Sequence, residues 1–159
     1  MSAMIKTIAC VSLLTAGQVF ADCKPLDATG SDFPSSQVDA DVTGLPTGSI
    51  ASAWYDGATD RYRHGVLGDA IEPSILSVTD SKGCTVTTEL SEEHVFEDLA
   101  PRLANMDGQP GAEIVTIRSH QNYGAQVAVY QLTDNKLEVL ASTPYIGTCL
   151  LYTSPSPRD

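Results

Sequence analysis

The chain has 159 residues, 42% of them hydrophobic, with 20 acidic against 9 basic side chains and a net charge of −11. That length holds one domain, and a charge of this sign repels nucleic acid and anionic membranes while favouring cations or basic partners. Beyond the N-terminal stretch no run is apolar for the roughly 20 residues that span a bilayer, so no transmembrane segment is expected in the mature chain.

At the N-terminus, Lys6 precedes a mostly apolar run over residues 8–20, no acid occurs before Asp22, and Val19-Phe20-Ala21 offers residues that a signal peptidase tolerates. This is the three-part pattern of a secretory signal peptide over residues 1–21. It predicts export to the periplasm or the medium, with the mature chain beginning near Asp22. A buried N-terminal strand or helix is the alternative. At the other end, residues 149–159 (Cys-Leu-Leu-Tyr-Thr-Ser-Pro-Ser-Pro-Arg-Asp) resemble the in-frame translation of a transposase adapter used in sequencing libraries. On that reading they are a non-native tail, and the gene is cut off near Thr148. Without Lys6, Arg158 and Asp159 the balance is 7 basic against 19 acidic residues.

Cys10 then leaves with the signal peptide and Cys149 with the tail, which leaves Cys23 and Cys84 in a chain bound for an oxidising compartment. A disulfide between them is the natural inference. It would close a loop of about 60 residues, which the chain-entropy picture equates to roughly 4 kcal/mol. Metal-binding or catalytic thiols are the alternative, with neither close spacing nor a redox motif behind them.

Residues 22–46 are rich in Asp, Ser, Pro and Gly and read as an irregular arm tied down by Cys23. From there the signals are β: short runs of β-branched and alternating residues between turn clusters. A first unit, residues 47–91, offers strands at 49–55, near 62–68, at 74–79 and at 85–90, the last two joined by the turn Asp80-Ser-Lys-Gly83. A second unit, residues 92–148, offers strands at 101–105, 113–118, 126–131 and 136–141, with Thr133-Asp-Asn135 turning between the last two. Four strands in roughly 45 residues is the size of one propeller blade. Ala53-Trp-Tyr-Asp56-Gly57 in the first unit is echoed by Ala104-Asn-Met-Asp107-Gly108 in the second.

Residues 96–118, with Pro101-Arg-Leu-Ala-Asn-Met-Asp-Gly-Gln-Pro-Gly-Ala-Glu-Ile-Val-Thr-Ile-Arg118 at their heart, resemble the FG-GAP/VCBS-type repeat of secreted bacterial β-propellers. The likeness is good from residue 96 to 148, fair over 49–89 and absent before. It implies an all-β fold made of about two four-stranded antiparallel blades of a truncated propeller; a small β-sandwich is the alternative. In the family the loop Asp-x-Asp-Gly-Asp-Gly-x-x-Asp/Glu holds Ca²⁺, which takes 6–8 oxygens at about 2.4 Å. Carried onto this chain, the ligands would be Asn105, Asp107, Gln109, the carbonyl of Gly111, and Glu113. Two carboxylates stand where the family has four, and Pro110 replaces a customary glycine. Binding should therefore be weak, or the loop a metal-free turn held by its own hydrogen bonds.

The opposite face of such blades is where related folds bind ligands. Here it would carry Asp69, Glu72, Glu92, Glu93, His94, Glu97, Asp98, His120 and Tyr123. A shared cation site or a surface for a basic partner is one reading, and a set of solvated acidic loops is the other. Arg61-Tyr-Arg-His64 is a basic-aromatic run that could stack on a sugar or pair with the surrounding acids. No Gly-x-Ser-x-Gly elbow, His-Glu-x-x-His, phosphate loop or Cys-x-x-Cys is present. The expected function is thus a non-catalytic module for binding, adhesion or interaction, with an unidentified protein or carbohydrate ligand. A propeller enzyme acting on polysaccharide, as a lyase or hydrolase, is the rival.

Overall fold

The computed structural model describes residues 32–61 and 72–146. Its regular structure is all-β apart from a short 3₁₀ turn at Pro34–Ser36. β1 (Val38–Asp39), β2 (Ile50–Thr59), β3 (Glu72–Asp80) and β4 (Thr85–Glu89) form one antiparallel sheet in chain order. β5 (His94–Phe96), β6 (Arg102–Ala104), β7 (Glu113–His120), β8 (Gly124–Thr133) and β9 (Lys136–Ser142) form the second. In that sheet β5 and β6 lie end to end along one side of β7, and β8 and β9 follow on the other. Both sheets are open.

The hairpins follow their turn chemistry. Asp80 Oδ1 accepts the backbone N–H groups of Lys82 and Cys84 at 2.9 and 2.8 Å, which closes the β3–β4 turn. Asp134 and Asn135 both adopt positive φ, at 49° and 59°, in the two-residue loop between β8 and β9. That is the primed geometry whose twist matches paired strands, and Asp and Asn tolerate it better than other non-glycine residues. Cys84, buried at the end of the first of these turns, is disulfide-bonded. Cys23, the partner expected from the sequence, lies outside the described residues.

The two sheets share one core. Tyr55 of β2 stacks on Phe96 of β5 at 4.6 Å, and Leu76, Val78, Ile114, Ala128 and Tyr130 close around the pair. Inward parity on β7 runs Ile114, Thr116, Arg118, His120, so the face that is apolar in the core becomes polar at its far end. This change along a single strand positions the site described below.

Three expectations need correction. The first sheet takes its outer strand from the stretch read as irregular, because Val38 and Asp39 pair with Ala53 and Ser52. β2 then pairs directly with β3, so the strand near residues 62–68 is not needed to complete this sheet; that segment lies outside the described residues, as do residues 1–21 and 149–159. His94 sits on a strand rather than in a loop: Val95 and Phe96 are fully buried, and their burial draws a three-residue strand out of an acidic stretch. The Ala-x-x-Asp-Gly echo also falls at unequal places. Gly57 lies inside the central strand β2, and Gly108 lies in the turn between β6 and β7.

Candidate functional site

Strand register builds the site. His94 on β5 is the direct partner of His120 on β7, and their rings meet edge to face at 4.8 Å. After His120 a three-residue loop returns the chain at Gly124, whose φ of 87° suits the glycine position of such a hairpin. That loop sets Tyr123 against His120, with ring centroids 4.4 Å apart. Tyr145 arrives from beyond β9, where the Ile146 N–H donates to the Ala125 carbonyl at 2.8 Å. Its ring lies 5.8 Å from His120 and 5.7 Å from Tyr123.

Hydrogen bonds lock both imidazoles. The Asn122 N–H donates to His120 Nδ1 at 3.0 Å, which leaves Nε2 to carry the proton and donate to Glu93 at 3.2 Å. His94 bridges Ser91 Oγ and Tyr145 Oη, each at 2.7 Å. Its pKa is held below the ordinary 6.5, first by burial and then by His120 and Arg118, with Glu93 opposing. His120 is buried, whereas Tyr123 and Tyr145 are 63% and 37% exposed. The result is two ring faces open to solvent on a rigid imidazole base.

Beside the rings lies a cleft of about 400 Å³ between β4 and β9, with His94 and Tyr145 at its mouth and Glu89, Arg118, Leu137 and Val139 among its walls. Arg61 shapes its rim. One guanidinium nitrogen donates to the carbonyls of Leu90, Ser91 and His94 at 2.8, 2.9 and 3.2 Å, and the other pairs with Glu89 at 2.6 Å. Of the basic-aromatic run, Arg61 therefore acts as a clamp on the crossover between the sheets; Tyr62, Arg63 and His64 lie outside the described residues.

Of the acidic face expected around these histidines, only part survives. His94, His120, Tyr123 and Glu93 come together, and Asp69 lies outside the described residues. Glu72, at the start of β3, and Glu97 are each 5% exposed and so are not solvated loop acids. Asp98 also turns inward, accepting from Tyr55 Oη at 2.5 Å and from Arg102 at 3.3 Å. Burial raises its pKa above the ordinary 3.8, with the hydrogen bonds and Arg102 opposing. These carboxylates are carried inward with the buried residues beside them, which proximity in sequence does not reveal.

The loop of the candidate calcium ligands is bound to itself. Asn105 Oδ1 accepts the Gly108 N–H at 2.6 Å, and its amide donates to the Gln109 carbonyl at 2.5 Å. Asp107 Oδ1 accepts the Gln109 N–H at 2.8 Å, and Glu113, buried at the head of β7, accepts the Met106 N–H at 2.5 Å. Gly111 holds a φ of 131°. A cation here needs converging oxygens, yet Asn105 presents an N–H group to the Gln109 carbonyl. One oxygen each of Asn105, Asp107 and Glu113 is thus taken by a loop N–H, and among the described residues no group of three or more His, Cys, Asp or Glu side chains is placed to hold a metal ion.

Sequence reasoning missed Tyr145, Ser91 and Arg118. Tyr145 carries no local signal, because its role depends on chain return past β9. Arg118 did carry one: it is a lone cation at the inward parity of β7. No helix among the described residues is long and apolar enough to cross a membrane. No protein family, curated protein or solved structure matches the chain.

Proposed function

We propose that the chain is two blades of an exported β-propeller of the FG-GAP/VCBS type, and that it acts as a non-catalytic binding module whose contact point is the His94–His120–Tyr123–Tyr145 cluster. The observation that carries the binding role is the pair of exposed tyrosine rings fixed on a hydrogen-bonded imidazole base. Rigid aromatic rings give large contact area at low cost in side-chain entropy. The blade reading is supported by the stacking of the sheets. β1 lies near β6 and β4 near β9, so the sheets lie one on the other in the same strand order, as neighbouring blades do. The loop at 105–113 works in this reading as a metal-free turn. The test is a binding screen of the full chain against immobilised oligosaccharides and basic proteins, alongside a Tyr123→Ala/Tyr145→Ala variant of matched unfolding midpoint. Binding that disappears in the variant supports the module. Binding that the variant retains, or its absence from the parent, rejects the cluster as the contact point.

One observation favours the catalytic rival. The 2.7 Å bond between His94 and Tyr145, with an imidazole biased toward its neutral form, is an arrangement suited to proton abstraction at a cleft. Turnover of a polysaccharide panel by the full chain, abolished by His94→Gln, would establish it; no turnover on any member rejects it for those substrates.

A further inference from the structure

Arg118 is the group in the cleft that the binding role has not yet used. It stands on β7 at inward parity, where the core face gives way to the ring cluster. Among the described residues its Nε is buried without a hydrogen-bond partner, and Nη1 donates to Tyr130 Oη at 3.4 Å. A guanidinium offers five donors in a planar fork, so one long bond to Tyr130 leaves donors at the Nη end without a partner. The other charged groups in the cleft do not supply one. Glu89 is held by Arg61 at 2.6 Å, so among the described residues Arg118 has no carboxylate paired with it in the cleft.

Resting on the binding-module reading, we infer that this cleft binds a short saccharide bearing a uronate carboxylate, with the carboxylate on the Arg118 fork and a pyranose face against Tyr145. Three observations converge on that chemistry. The Nη end of the Arg118 fork, which carries one long bond to Tyr130, matches a carboxylate in bidentate geometry. Tyr145 belongs to both the ring cluster and the cleft, so its apolar face and the cation act on one ligand. Ser91 and His94 at the mouth supply hydrogen-bonding groups suited to sugar hydroxyls. The cleft, at about 400 Å³, lies within the range of small-ligand pockets, roughly 300–1,000 Å³. The net charge of −11 opposes a long polyanion, so the ligand is short. At physiological ionic strength that repulsion is screened within about 8 Å, and the local cation decides.

Titration calorimetry of the full chain tests this with three probes: digalacturonate, the neutral disaccharide of galactose, and benzoate. The expected result is at least a tenfold preference for digalacturonate over the neutral sugar, about 1.4 kcal/mol, with benzoate weaker still. In Arg118→Gln the ratio between uronate and neutral sugar should fall about tenfold, and Arg118→Lys, which keeps the charge but loses the fork, should recover only part of it. Unfolding midpoints within a few degrees of the parent show that each variant is folded. Equal affinity for uronate and neutral sugar, or a preference that survives Arg118→Gln, overturns the inference. Benzoate binding as tightly as digalacturonate also overturns it, by reducing the site to a general carboxylate pocket. If all three probes fail while the oligosaccharide and basic-protein screen still gives cluster-dependent binding, the uronate assignment falls and the binding module stands.

Discussion

The Tyr55 hydroxyl donates a 2.5 Å hydrogen bond to Asp98 Oδ1, tying a central strand of the first sheet to the loop that leaves β5 in the second. Tyr55 is fully buried, and its own pKa is pushed well above 10.0, first by desolvation and then by Asp98. The pair is therefore an inter-sheet tie in which the phenol keeps its proton. Because Asp98 has a raised pKa, its ionisation works against folding: stability from this group is greatest below the ordinary 3.8 and falls as pH rises through the folded value. Asp98→Asn, which keeps the acceptor without the charge, should leave stability at neutral pH equal or slightly higher. Asp98→Ala should cost about 1–3 kcal/mol, because the Tyr55 hydroxyl is then buried unpaired. Urea unfolding of the two variants side by side checks the contrast.

His94 predicts a pH dependence of the opposite sense. Its folded pKa lies below 6.5, so the unfolded chain takes up the proton first. Stability should be fully present above about 6.5 and decline as pH falls from there toward the folded value. Thermal unfolding at a series of pH values should show this decline in the parent and a smaller one in His94→Gln. An equal decline in both would place the effect elsewhere.

The loop between β6 and β7 should be insensitive to calcium. One oxygen each of Asn105, Asp107 and Glu113 already accepts a loop N–H, so millimolar Ca²⁺ should leave the unfolding midpoint unchanged. An upward shift growing with concentration, as linkage requires of a ligand bound to the fold, would show that Asn105 has turned its oxygen inward. Glu113→Ala should destabilise by about 1–3 kcal/mol through the orphaned Met106 N–H, and Glu113→Gln by much less.

Gly57 is a fourth point of sensitivity. It holds a φ of 68° inside β2, and a Cβ there would lie 2.8 Å from the Ile75 side chain. Gly57→Ala should destabilise by about 1–3 kcal/mol. Guanidinium unfolding would register it, and Gly108→Ala, at a φ of 76° with no atom within 4 Å, should cost less.

On the propeller reading proposed above, the outer edge at β9 should associate. β9 ends its sheet, and Val139 and Leu140 on it are 46% and 43% exposed. Sedimentation velocity should show a species that grows with loading concentration, and Leu140→Lys should reduce it, since a charge on an edge strand opposes pairing. A monomer with sharp, reversible unfolding would favour a closed sandwich.

Much of the fold could be read from sequence where it is local. β3, β4, β8 and β9 follow alternation and turn residues that act within a few positions, as at Asp134 and Asn135. β1 and β5 could not be read this way, because two or three residues carry no period, and only burial against the other sheet makes Val95 and Phe96 a strand. The site was half legible for the same reason. His94, His120 and Tyr123 stood out as functional residue types, yet their contact depends on the pairing of β5 with β7, and Tyr145 reaches His94 across 51 positions. The buried acids Glu72, Glu97 and Asp98 misled because composition reports charge, whereas packing between the sheets decides which way it faces.

The break between β5 and β6 has a practical side. Each short strand is registered on β7 independently, and between them Leu99 stands 83% exposed. Chain inserted beside Leu99 would leave both registers in place, and the closure entropy of a lengthened loop grows only slowly, about 0.6 kcal/mol per doubling. This is where the fold would accept a fluorophore tag or a grafted peptide, a natural port in the second sheet.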